Sequence, residues 1–129
     1  MAMSDDLVTP AWRDGHVEPG AVARAARGLA AGGVVGLPTE TVYGLAAVAR
    51  DRAAVARVFT IKGRPSDHPV IVHVAGAEDL RVWGAGVADY AVRLAEGLWP
   101  GPLTLVVPAA DDVPRSLTGG QDTVGLRCP

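Results

Sequence analysis

The sequence predicts a single-domain α/β fold, and three observations carry that prediction. Helical and extended patterns alternate from residue 19 to residue 129, the order that packs helices against a sheet. VIVHVA, residues 70–75, is apolar at nearly every position, as in a strand covered on both faces. The 129 residues, 49% of them hydrophobic, suffice for one sizeable core and are too apolar for a disordered chain.

Residues 1–18 read as an irregular lead-in with a short edge strand near Leu7 to Trp12. The domain proper spans 19–129. Pro19 stands where a helix accepts a first-turn proline. Val22, Ala25, Ala26, Leu29 and Ala30 then recur at helical spacing. Gly32-Gly33 stops that helix. VVGLP, residues 34–38, is a short buried strand, and TETVYGLAA after it is a functional loop. Asp51 caps a helix over residues 52–61, with Val55, Val58 and Phe59 as its apolar face. Gly63-Arg64-Pro65 breaks it. After the strand at 70–75 come a short helix around Glu78 to Trp83 and a longer one over residues 87–98. WPGPLTLVVPA is a turn and a strand, VPRSLTGGQD a loop, and TVGLR a last short strand. The order contains no repeat and no low-complexity tract. Cys128-Pro129 follows that strand directly, which leads us to expect a domain truncated at its C-terminal end.

Composition narrows the function classes. A net charge of -2 argues against a nucleic-acid coat. The single Cys128 excludes an intramolecular disulfide and a Cys-rich zinc site. MAMSDDLV has an acidic pair and no basic-then-apolar signal pattern, and no apolar run is long enough to span a bilayer. The expected location is cytoplasmic. There is no GxxxxGK[ST] and no GxSxG. GAGVAD lacks the third glycine of a dinucleotide fingerprint. His16, His68 and His73 lack metal-ligand spacing, so no protein metal site is expected.

What remains is a set of polar residues at strand ends, where α/β sheets collect ligands. Thr39, Glu40, Thr41 and Tyr43 follow one strand; Lys62, Arg64, Ser66 and His68 precede another. His73 interrupts an apolar run, and Thr123 and Arg127 bracket the last strand. Of the 12 basic residues, Lys62 is the only lysine. A Lys–Arg pair beside hydroxyls suits phosphate and carboxylate. Structural readings stand beside these. His73 reads equally as a core histidine bonded to a backbone carbonyl. Lys62 and Arg64 read as a solvated helix end. Thr39 to Thr41 read as a capping box, although no Glu stands at the third position after Thr39. Tyr43 and Trp99 read as packing residues, and Glu40 as a structural hydrogen-bonding group.

PTETVYGL, KGRPSDHPVIVHV, WPGPLTLVV and TVGLRCP, in this order, resemble the threonylcarbamoyl-AMP synthase family, the YrdC-like domain. The four stretches span residues 38–129. The resemblance implies a twisted mixed sheet with helices around a concave cavity. It implies L-threonylcarbamoyladenylate synthase activity, which makes threonylcarbamoyl-AMP and pyrophosphate from L-threonine, bicarbonate or CO2, and ATP. It implies a downstream tRNA-modifying threonylcarbamoyl transferase complex as partner. By the same resemblance, Thr41, His73 and Arg127 hold L-threonine. Lys62 and Arg64 face the ATP phosphates and carry the catalysis. His68 and Thr123 also contact ATP. ATP enters as substrate with Mg2+ carried on its phosphates. The family continues beyond TVGLRCP with a helix and a Ser-x-Asn stretch absent from these residues. Two alternatives stay open: an RNA-binding YrdC-like module without catalysis, with weak RNA binding as its activity, and a carbamoyl-adenylate-forming relative that uses carbamoyl phosphate.

Overall fold

A computed structural model describes residues 12–129. All but the last residue of the edge strand expected near Leu7 to Trp12 therefore lies outside the described residues. The lead-in is less irregular than expected. Strands β1 (Trp12–Arg13) and β2 (His16–Val17) form a small antiparallel hairpin. Asp14 and Gly15, both at positive φ, make its two-residue turn. Asp-Gly is the dipeptide that such turns favour, because both central residues must adopt left-handed backbone.

Helix α1 (Ala21–Ala30) starts two residues after Pro19. Ala21 is its buried residue, whereas Val22 is 69% exposed. The core-facing stripe therefore runs one position off the expected one. Strands β3 (Val35–Leu37) and β4 (Gly44–Ala46) pair antiparallel, with Val35 opposite Ala46. The loop expected over residues 39–47 is thus a hairpin tip followed by a strand. Helix α2 (Arg52–Lys62) is capped as predicted: Asp51 Oδ1 accepts from the Ala54 N–H at 3.0 Å. It ends with the Arg64 N–H donating to the Phe59 carbonyl and the Gly63 N–H to the Thr60 carbonyl. Gly63 is left-handed there, which completes a Schellman stop.

Strand β5 (Ile71–His73) follows. A 3-10 turn (Ala77–Asp79), helix α3 (Leu80–Trp83) and helix α4 (Asp89–Leu98) come next. Strand β6 (Leu105–Pro108), helix α5 (Arg115–Thr118) and strand β7 (Thr123–Arg127) complete the order. Helix α5 corrects the loop reading of VPRSLTGGQD. Pro114 precedes its first residue, and a left-handed Gly119 ends it after a single turn, too short to show a 3.6-residue period.

The α/β class holds, and the pairing is mixed. β7 lies between β5, parallel to it, and β6, antiparallel to it. Among the described residues the strands fall into three small sheets instead of one. Val72, Val107, Val124 and Leu126 project from the β5-β7-β6 sheet into the core. There they meet Val55 and Phe59 of α2, Leu80 of α3, Ala95 of α4 and Leu117 of α5. The opposite face is open: Ile71 is 41% and Val106 68% exposed. VIVHVA is therefore not covered on both faces. Its apolar run reflects a one-sided strand whose outward positions are also apolar. Trp99 packs against the core as expected, with its Nε1 donating to the Leu103 carbonyl at 2.8 Å. Tyr43 does not pack; it is 76% exposed at the β3–β4 tip.

Candidate functional site on the open sheet face

Side chains alternate across a strand, so the register of β5, β7 and β6 decides what the open face carries. Ile71, Gly125 and Val106 make one row. His73 lies beside Arg127 in the next. Thr104, just before β6, completes that second row by contact: Arg127 Nε donates to Thr104 Oγ1 at 2.9 Å. Arg127 Nη1 donates to Glu40 Oε1 at 3.0 Å, closing an ion pair with the hairpin tip. The Arg127 and Glu40 side chains are only 18% and 19% exposed, so solvent and salt screen this pair less than a surface one. A guanidinium has five N–H donors. Two are used among the described residues, which leaves the second hydrogen of Nη1 and both of Nη2.

The tip that presents Glu40 is built by Thr39. Its Oγ1 accepts from the N–H groups of Thr41 and Val42 at 3.3 and 3.2 Å and donates to the Val42 carbonyl. This is a hydroxyl-closed turn, in which a side chain satisfies backbone groups locally. No helix starts here, which disposes of the capping-box reading. Thr41 is exposed beside Glu40, its Oγ1 3.2 Å from that of Thr39.

His73 is exposed, so the core-histidine reading fails. Its Nδ1 lies 3.2 Å from the Ile71 carbonyl. A carbonyl can only accept, so Nδ1 donates to it, and Nε2 is the ring nitrogen left to face a ligand. Thr123, paired with Pro108, lies on the same face at the far end of β7, about 13 Å from Arg127 at the usual rise per residue.

Lys62 ends α2 and Arg64 follows its stop; both are exposed, and neither has a side-chain partner among the described residues. His68 is exposed in the turn between α2 and β5. That turn is fastened to α5 where the Val70 N–H donates to the Leu117 carbonyl at 3.0 Å. The structure thus brings Arg127, His73 and the loop of Thr41 together. It joins Lys62, Arg64 and His68 to them by no hydrogen bond or ion pair among the described residues. Two clefts lie elsewhere, one beside Gly76, Trp99 and Cys128 and one beside Asp111, Arg115 and Gln121.

Sequence reasoning left Thr104 unnamed and gave Glu40 no partner. Thr104 was within reach of a parity count, because it stands two positions before Val106 on the same face. Glu40 had only its charge to connect it with a cation 87 residues away.

Comparison with known proteins places this geometry. The family described as Telomere recombination (Sua5, YciO, YrdC) matches residues 27–129. The chain belongs to that family. Over 98 residues it is 53% identical to the threonylcarbamoyl-AMP synthase of Pyrococcus abyssi, covering 76% of this chain and 29% of that protein. Over 110 residues it is 44% identical to the threonylcarbamoyl-AMP synthase of Bacillus subtilis, covering 84% and 32%. The fold aligns with the crystal structure of P. abyssi Sua5 complexed with L-threonine at a TM-score of 0.84 and 48% identity, over 88% of this chain and 34% of that one. The chain therefore spans about a third of the length of these relatives. Within the family fold, the open face of β5-β7-β6 offers a fixed cationic fork, an imidazole and a hydroxyl loop. This donor set can hold a carboxylate at one end and an amine or hydroxyl beside it.

Proposed function

We propose that this chain carries the site of an L-threonylcarbamoyladenylate synthase, a nucleotidyltransferase acting in tRNA threonylcarbamoyladenosine formation. The observation that carries the reading is Arg127. It is held in place with free donors beside His73, in a chain 48% identical over the aligned part to a protein crystallised with L-threonine. Arg127 takes the threonine carboxylate through parallel hydrogen bonds. His73 Nε2 and Thr41 Oγ1 read the amine and hydroxyl.

The amine adds to CO2 to give a carbamate, with loss of a proton to solvent. A carbamate oxygen then attacks the α-phosphorus of ATP, and the bond to the β-phosphate oxygen breaks. Such a reaction needs positioning and positive charge more than covalent help. Lys62 and Arg64 supply that charge to the phosphates, Lys62 as a compact point charge and Arg64 as a planar fork. His68 and Thr123 contact the nucleotide. The chain's side of this chemistry is cationic, so Mg2+ is carried by the phosphates of ATP. The product passes to a tRNA-modifying transferase complex in the cytoplasm.

Calorimetry and pyrophosphate release on the intact protein test the reading. Threonine should bind in preference to serine by roughly 10-fold or more, since one methyl in an apolar spot is worth about 1–3 kcal/mol. Pyrophosphate release should require threonine, bicarbonate and ATP together. Release without threonine, or with carbamoyl phosphate in its place, would overturn the assignment.

A further inference from the structure

We infer that Glu40 is a positioning residue for Arg127, fixing the guanidinium so that its remaining donors face one way. This rests on the reading that Arg127 receives the threonine carboxylate. Arginine is among the side chains with the most rotamer freedom to lose, so an unanchored fork binds a carboxylate at an entropic cost. Here two contacts on different nitrogens define the guanidinium plane: Thr104 Oγ1 on Nε at 2.9 Å and Glu40 Oε1 on Nη1 at 3.0 Å. Among the described residues three donors stay free, enough for a two-pronged grip. The pair also ties the β3–β4 tip to the end of β7. Thr41, the next residue in that tip, is thereby tied through Glu40 to the end of β7 where Arg127 pairs with His73. The partly buried setting of both side chains, 18% and 19% exposed, favours Glu40 as an anchor over a passing surface partner.

A competing account gives Glu40 the opposite role, as a stand-in that occupies Arg127 until a substrate carboxylate displaces it. The two accounts predict opposite signs. Glu40→Ala and Glu40→Gln in the intact protein decide between them. Gln keeps an Oε1 acceptor of the same reach and loses the charge. For a positioning residue, threonine affinity falls roughly 10-fold in Glu40→Ala, the scale of one hydrogen bond to a charged group, and less in Glu40→Gln. ATP affinity is unchanged in both. Restricted rotation about Arg127 Nε–Cζ, seen by NMR as separate Nη1 and Nη2 proton signals, is present in wild type and Glu40→Gln and averaged in Glu40→Ala. Tighter threonine binding in Glu40→Ala overturns the proposal, as do Arg127 signals indifferent to both substitutions. If wild type binds no threonine, the synthase reading fails, and the Arg127 signals alone decide whether Glu40 holds the fork. If Glu40→Ala does not fold, the same measurements on Glu40→Gln decide: threonine affinity equal to or above wild type, or Arg127 signals averaged although the Oε1 acceptor is kept, overturns it.

Discussion

Replacing Gly119 by alanine tests how the turn that carries His68 is held. Gly119 ends α5 at φ 60. A Cβ there would stand 2.4 Å from the Asp67 carbonyl oxygen and 3.0 Å from the Pro69 nitrogen, about 1 Å short of ordinary contact in the first case. Both are backbone atoms, so no rotamer change relieves the clash; α5 and the 65–69 turn must separate. Left-handed backbone costs an L-residue about 1–2 kcal/mol. Forcing packed backbone apart adds about 1–3 kcal/mol. We expect Gly119→Ala to destabilise the chain by about 3 kcal/mol. Gly120→Ala is the control: it has φ 81 with nothing within 4 Å of its Cβ, so only the conformational cost of about 1–2 kcal/mol applies. Urea unfolding of both variants, with equal m-values, isolates the steric part as the difference. Equal losses in the two variants would refute the claim that α5 and the His68 turn pack backbone to backbone.

The remaining predictions concern the phosphate residues and the helix beside them. Lys62→Arg keeps the charge but should lower threonine-dependent pyrophosphate release by roughly 10²–10³, the cost of one misplaced electrostatic donor. Lys62 is exposed and without a side-chain partner among the described residues, so the variant's melting temperature should not move, and wild-type turnover would make Lys62 an ordinary solvated helix end. Asp51→Ala removes the acceptor of the Ala54 N–H at the start of the helix that ends in Lys62. It should cost about 1 kcal/mol in chemical denaturation, and a loss below a few tenths would show that water serves the helix end as well.

Much of the fold is local and was legible as such. Asp51 announces α2 and Gly63 ends it, because capping satisfies backbone groups within a turn of the residue that does it. The parity of Thr123 and Arg127 on one strand also follows from the sequence, since alternation is a property of any extended chain. Aspartate and glycine at 14 and 15 signalled a hairpin through the same kind of local rule, although the stretch reads as irregular when only apolar periodicity is followed.

Other features have no local cause. An apolar run such as VIVHVA states that a strand is there, and its composition cannot say whether one layer of helices covers it or two. Helices α2 to α5 contribute to the core on one side, and Ile71 and Val106 are left in solvent on the other. The neighbour of Arg127 is His73 because β5 and β7 run parallel in one register, a pairing across more than 50 residues that no pattern in either strand encodes. Glu40 meets Arg127 across 87 residues and Thr104 meets it across 23. From the sequence alone came the residue types that carry the proposed chemistry and the elements that bear them. The tertiary structure alone decided which face is open and which partners fix the arginine, because charge complementarity and strand register act through space between segments that share no sequence signal.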